Sequence, residues 1–93
     1  MPTRKELIVE KYSQLEKELS NFLDTDIFPN LDDIDVCDVV FLITYQFMNI
    51  DTNEQYKVKI KEMLQANHLE ITEEKLISIV PLISIFVKWL KQL

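Results

Sequence analysis

The chain predicts an all-α fold, a small antiparallel four-helix bundle, on three observations. It has no glycine among its 93 residues, where average usage gives roughly six or seven. Its apolar residues recur at alternating three- and four-residue spacing, and each such stretch follows a Thr, Asn or Asp placed to cap a helix. Without glycine, primed hairpins lose the residue that supplies positive φ, and Walker A or Rossmann loops lose the one that lets backbone approach phosphate. A nucleotide-binding enzyme and a hairpin-rich β domain are thereby disfavoured. The 47% hydrophobic content argues against disorder, and the length suits one domain over residues 1–93.

The first helix is expected from about residue 4 to 23. Thr3 and Glu6 form a capping box, and Ile8, Tyr12, Leu15, Leu19 and Phe22 make one apolar stripe. Charged residues fill its other faces. Asp24 to Leu31 reads as a connector, because Pro29 forces Phe28 out of helical geometry.

A second helix is expected over about 32–49, capped by Asn30, with Asp32, Asp33 and Asp35 in its first turns where the dipole favours negative charge. The run Val39-Val40-Phe41-Leu42-Ile43 favours a strand by propensity. Periodicity favours helix, since Asp35, Asp38, Gln46 and Asn49 share one face, with Leu42 or Tyr45 in the gap. No strand partner is evident elsewhere.

A third helix, about 52–67, opens on a capping box made by Asp51 with Glu54 or by Thr52 with Gln55. Its narrow stripe of Tyr56, Ile60, Met63 and Leu64 makes it the most exposed of the four. It should end near Asn67-His68, with Asn67 in the left-handed cap. The fourth helix, about 73–92, is capped by Thr72 and stapled by Ile71 and Leu76. It is apolar nearly all round, with one polar line of Ser78, Pro81, Ser84, Lys88 and Lys91. Pro81 is expected to kink it. Short connectors would make neighbouring helices antiparallel, with the fourth packed most deeply.

The lone cysteine, Cys37, excludes an internal disulfide and suggests a reduced, cytoplasmic setting. Its place in an apolar run predicts a buried, inert thiol. No secretory signal is visible, and the apolar run from Leu76 to Val87 falls short of the about 20 residues a membrane span needs.

Charge is unevenly placed. From Glu18 through Tyr56 there are nine acidic residues and no lysine or arginine, within a chain of net charge −6. Such a centre repels nucleic-acid phosphate and attracts a basic protein surface. Its acidic patch comprises Asp24, Asp26, Asp32, Asp33, Asp35 and Asp38. These do not space as an EF-hand, because position 5 of either register falls on Phe28 or Cys37. No metal site is expected.

Catalytic chemistry is equally thin. The single histidine, His68, sits at an expected helix end, where it complements the dipole. One cysteine and one histidine cannot make a zinc site, and no cofactor motif is present. An enzyme is not expected.

Surplus apolar surface is the informative feature. Helices two and four are each apolar over more than half their circumference, and a bundle this small surrounds only one helix. The uncovered face would then bind a protein partner or a second copy. Phe86, Trp89, Leu90 and Leu93 at the C-terminal end, with Phe41 and Tyr45 on helix two, are the expected anchors. The leading reading is a small acidic binding module of adaptor or inhibitor type, of the kind phage and mobile elements encode. The alternative is a peripheral membrane protein resembling bacteriocin immunity proteins in size and helical class, with the Phe86–Lys91 end in the lipid interface.

Overall fold

The computed structural model describes residues 1–93 as four helices without a strand: α1 (Arg4–Leu19), α2 (Val36–Gln46), α3 (Asn53–Ala66) and α4 (Glu73–Lys91). α4 packs against each of the other three, and α1 also touches α2. Its buried side chains include Leu76, Ile79, Ile83 and Val87. Much of the apolar abundance of α4 thus has a direct cause: it is the helix that touches all three others.

The caps are set by short polar side chains. The Thr3 hydroxyl accepts from Glu6 N, and the Thr72 hydroxyl from Lys75 N, each at 3.2 Å. At α3 the box closes in both directions between Thr52 and Gln55, whose Oε1 also accepts from Asp51 N. Helix ends in a glycine-free chain need another residue in left-handed geometry. Asn49 (φ 70°) supplies it after α2 and His68 (φ 58°) after α3. His68, rather than Asn67, takes this position. Around it Leu69 N donates to Leu64 O and His68 N to Gln65 O, a Schellman arrangement. Asn67 instead donates its side-chain amide to Met63 O.

The largest departure from expectation lies between α1 and α2. Helix one stops at Leu19 rather than near residue 23, and helix two starts at Val36 rather than near 32. Asn30 does not cap α2. Its side-chain oxygen accepts from Asp32 N and its carbonyl from Asp33 N and Ile34 N, closing a turn of its own. Asp35 stands at the N-cap without a side-chain cap bond. The connector of residues 20–35 is therefore long. It is held by burial of Phe28, by half-buried Leu23, Ile27, Leu31 and Ile34, and by a hydrogen bond from the Tyr12 hydroxyl to Pro29 O.

Two aromatic contacts tie this connector to the core. Phe28 meets Phe47 edge-on at 6.5 Å, and Phe47 stacks on Tyr56 at 5.4 Å. At the C-terminal end of α4, the Lys91 ammonium donates to the carbonyl oxygens of Phe47 at 2.6 Å and Ile50 at 3.2 Å. The Phe47 carbonyl also accepts from Ile50 N at 3.3 Å, so the ammonium joins the turn that closes α2. Ser84, expected on the polar line of helix four, is instead buried and donates to Pro81 O. A serine can enter an apolar face when its hydroxyl finds a carbonyl on its own helix.

Candidate protein-binding surface

On α2 the buried stripe is Val36, Val39 and Ile43, continued by the C-cap residue Phe47. Spacing of three, four and four residues turns that stripe wholly towards α4 and α1. Everything a half-turn away must face out. The opposite line, Asp38, Phe41, Tyr45 and Met48, is exposed throughout. Phe41 and Tyr45 are 67% and 63% exposed. Their rings nonetheless stack at 6.1 Å with an interplanar angle of 17°. Thr44 removes its own polarity from this face, since its hydroxyl donates to Val40 O at 2.7 Å. A groove runs from Phe41 past Tyr45 and Met48 to Asn49 and Lys91.

Cys37 lies on the flank of this line and is exposed, contrary to the buried thiol the sequence predicted. The apolar run around it is real, but its inward residues are Val36 and Val39. Position on the helix, not the company in sequence, decides burial.

A second apolar surface lies between α1 and α4. Leu82, Ile85 and Trp89 line it on one side, Lys11, Gln14 and Glu18 on the other. Ile85 is 69% exposed, Trp89 is half-buried, and the Lys11 ammonium stands 6.0 Å from the Trp89 ring centroid. Of the anchors expected at this end, Phe86 and Leu90 are 6% and 4% exposed. They face the core, where Phe86 meets Tyr12 edge-on at 6.0 Å. Trp89 and Leu93 remain at the surface. Sequence reading thus placed four residues in one patch that the helix divides between inside and outside.

The lipid-facing end expected under the membrane reading is depleted in the same way. Phe86, Val87 and Leu90 all point inward. No helix is long and apolar enough to cross a membrane.

Asp24, Asp26, Asp32, Asp33, Asp35 and Asp38 are all exposed. Asp35 pairs loosely with Lys5 at 3.9 Å. Asp26 and Asp32 lie close enough to act on Glu16, whose carboxyl titrates above its ordinary range, first through burial and then through their charges. Burial, then Glu16 and Asp26, likewise raise the Tyr12 phenol. The Tyr56 hydroxyl is buried and bonds to nothing, and burial followed by the charge of Asp51 pushes it up. The Lys88 ammonium stands 5.7 Å from the centroid of that ring. No three His, Cys, Asp or Glu side chains converge on a point that would hold a metal ion. His68 is exposed at the end of α3.

Sequence reading missed Met48, Ile85 and the groove closed by Lys91. The signal for Met48 was present: it continues the three-four-three spacing of Asp38, Phe41 and Tyr45. Lys91 was not legible, because it comes from another helix. No family model, curated protein or solved structure matches the chain.

Proposed function

We propose that this chain is a non-enzymatic protein-binding module of adaptor or inhibitor type, working through the uncovered faces of α2 and α4. The observation that carries the reading is the parallel stack of Phe41 and Tyr45, two aromatic rings left mostly in water. Aromatic side chains supply large contact area at low entropic cost, and they concentrate at the hot spots of interfaces. Water-exposed rings on a chain that already buries a core of its own point to a surface made for something else.

The acidic connector gives this module its preference. Six exposed aspartates precede and open α2, so a partner with a basic rim is drawn to the same side. The reading takes successive helices as antiparallel. It also takes α4 as bent at Pro81, where the ring leaves Ile77 O without its helical donor. Such a bend would set the Ile77 and Ile85 faces at different angles.

The test is capture from the native cell with three variants of the full chain. Phe41→Glu with Tyr45→Glu alters the α2 face, Ile85→Glu with Trp89→Ala alters the α4 face, and Val58→Glu is a control on exposed α3. Loss of a captured protein with either face, and retention with the control, is the expected result. Retention with both faces altered overturns the proposal.

A further inference from the structure

We infer that the outer face of α2 is covered by a second copy of this chain, the two helices lying antiparallel about a two-fold axis near Ile43. The inference rests on the reading of that face as a protein interface and names its occupant. It leaves the α4 face and the acidic connector to a different partner.

The first support is the spacing. Asp38, Phe41 and Tyr45 on α2, with Met48 in the turn that follows it, succeed one another at three, four and three residues. That series reads the same from either end and is centred on residue 43. A copy turned end for end therefore presents the same ridge in the same register, which is the self-complementarity a two-fold interface requires. Phe41 then meets the partner's Tyr45, and Tyr45 meets the partner's Phe41. Three-four spacing is also the pattern by which helices interlock at shallow angles.

The second support is charge. One end of the ridge carries the Asp38 carboxylate, exposed in the first turn of α2. The other end carries Lys91, which lines the same groove as Tyr45 and Met48. Its ammonium gives two protons to Phe47 O and Ile50 O, and an ammonium has three. The antiparallel arrangement brings each Asp38 to the partner's Lys91. A parallel arrangement would set carboxylate on carboxylate and ammonium on ammonium, which is repulsive at both ends. The pattern of charge thus selects one orientation, as the spacing does. A helix of 11 residues is only about 16 Å long. The contact is at the small end of specific interfaces, so the dimer should dissociate on dilution.

Sedimentation of the full chain over a wide concentration range tests this. The wild type should move from monomer to dimer as concentration rises. Asp38→Asn should weaken the dimer several-fold, whereas it would strengthen a parallel one by removing like-charge repulsion. Asp38→Lys and Lys91→Glu should each be monomeric alone, and their equimolar mixture should recover dimers holding one copy of each, with one ion pair in its native sense and the other reversed. Because Lys91 also supports the end of α2, circular dichroism must show Lys91→Glu to be helical. If it unfolds, Asp38→Asn and Tyr45→Glu decide alone, both being expected to weaken the dimer.

A wild type monomeric at every concentration overturns the inference and leaves the binding module intact, since capture with the face variants judges that separately. Dimers unaffected by Asp38→Asn and Tyr45→Glu, or strengthened by Asp38→Asn, overturn it as well. So does a mixture of the two folded charge variants that stays monomeric.

Discussion

The ammonium of Lys91, in the last turn of α4, donates to the carbonyl oxygen of Phe47, the residue that closes α2, over 2.6 Å. α2 has no basic residue in its own last turn. It borrows one from a helix more than forty residues later in the chain. The borrowed charge complements the α2 dipole and fixes the end of α4 against the corner between α2 and α3. Lys91→Met keeps the aliphatic stem and removes the donor. Urea unfolding should show a loss of about 1.5–3 kcal/mol, the range for hydrogen bonds to a charged group. No loss would mean that the contact contributes nothing to stability.

The two buried tyrosines should respond oppositely to loss of a hydroxyl. Tyr12 donates to Pro29 O and so fastens the connector to α1. Tyr12→Phe should cost about 1 kcal/mol and raise proteolysis within residues 20–35. The Tyr56 hydroxyl is buried without a partner. Tyr56→Phe removes an unsatisfied group and should be neutral or stabilising by up to about 1 kcal/mol. Paired thermal melts of the two variants check both signs.

Glu16 carries the clearest pH signature. Burial, then Asp26 and Asp32, hold its folded-state carboxyl above the ordinary 4.5. A raised acid binds its proton more readily folded than unfolded, so its charged form costs stability. That cost is present above the folded value and fades as pH falls towards 4.5. Glu16→Gln should therefore raise the melting temperature at neutral pH. The gain should shrink across the carboxylate range and vanish below it. A gain that is flat with pH would contradict the desolvation account.

Phe41 and Phe86 separate surface from core. Phe86→Ala should cost about 3–5 kcal/mol, because it empties space beside Tyr12 and the interior of α4. Phe41→Ala should stay within about 0.5 kcal/mol in the monomer, since little of its ring is covered. Denaturant titration at low protein concentration makes the comparison. Equal losses would mean that the α2 face is covered within the monomer.

Much of this division was legible in the sequence, and the failures have one physical origin. Of the expected stripes, Ile8, Tyr12, Leu15 and Leu19 on α1 and Tyr56, Ile60 and Leu64 on α3 are buried, whereas Phe22, beyond the end of α1, and Met63 are half-buried. Thr3, Thr52 and Thr72 cap the helices they were expected to cap. Local periodicity and capping are properties of one segment, and one segment is what a sequence displays. The start of α2 was misplaced because Asn30 has two good local uses, a cap and a turn. The choice is made by contacts from elsewhere in the chain, Phe28 against Phe47 and the Tyr12 hydroxyl on Pro29 O. Phe86 and Leu90 were read as surface anchors beside Trp89 because all three lie within one apolar stretch. Which of them points inward depends on where α1 crosses α4, and that is a tertiary fact. The reach of Lys91 to Phe47 is of the same kind.

Light scattering of the purified chain, combined with binding of a hydrophobic-surface dye, bears most directly on the role of the α2 face. The expected result is a mass that rises with concentration from 11.1 kDa towards twice that value. Dye binding at low concentration should fall in the variant carrying Phe41→Glu and Tyr45→Glu, the remainder belonging to the α4 face. A wild type that stays at 11.1 kDa at every concentration and binds no dye would contradict the claim that α2 presents a surface built to be covered.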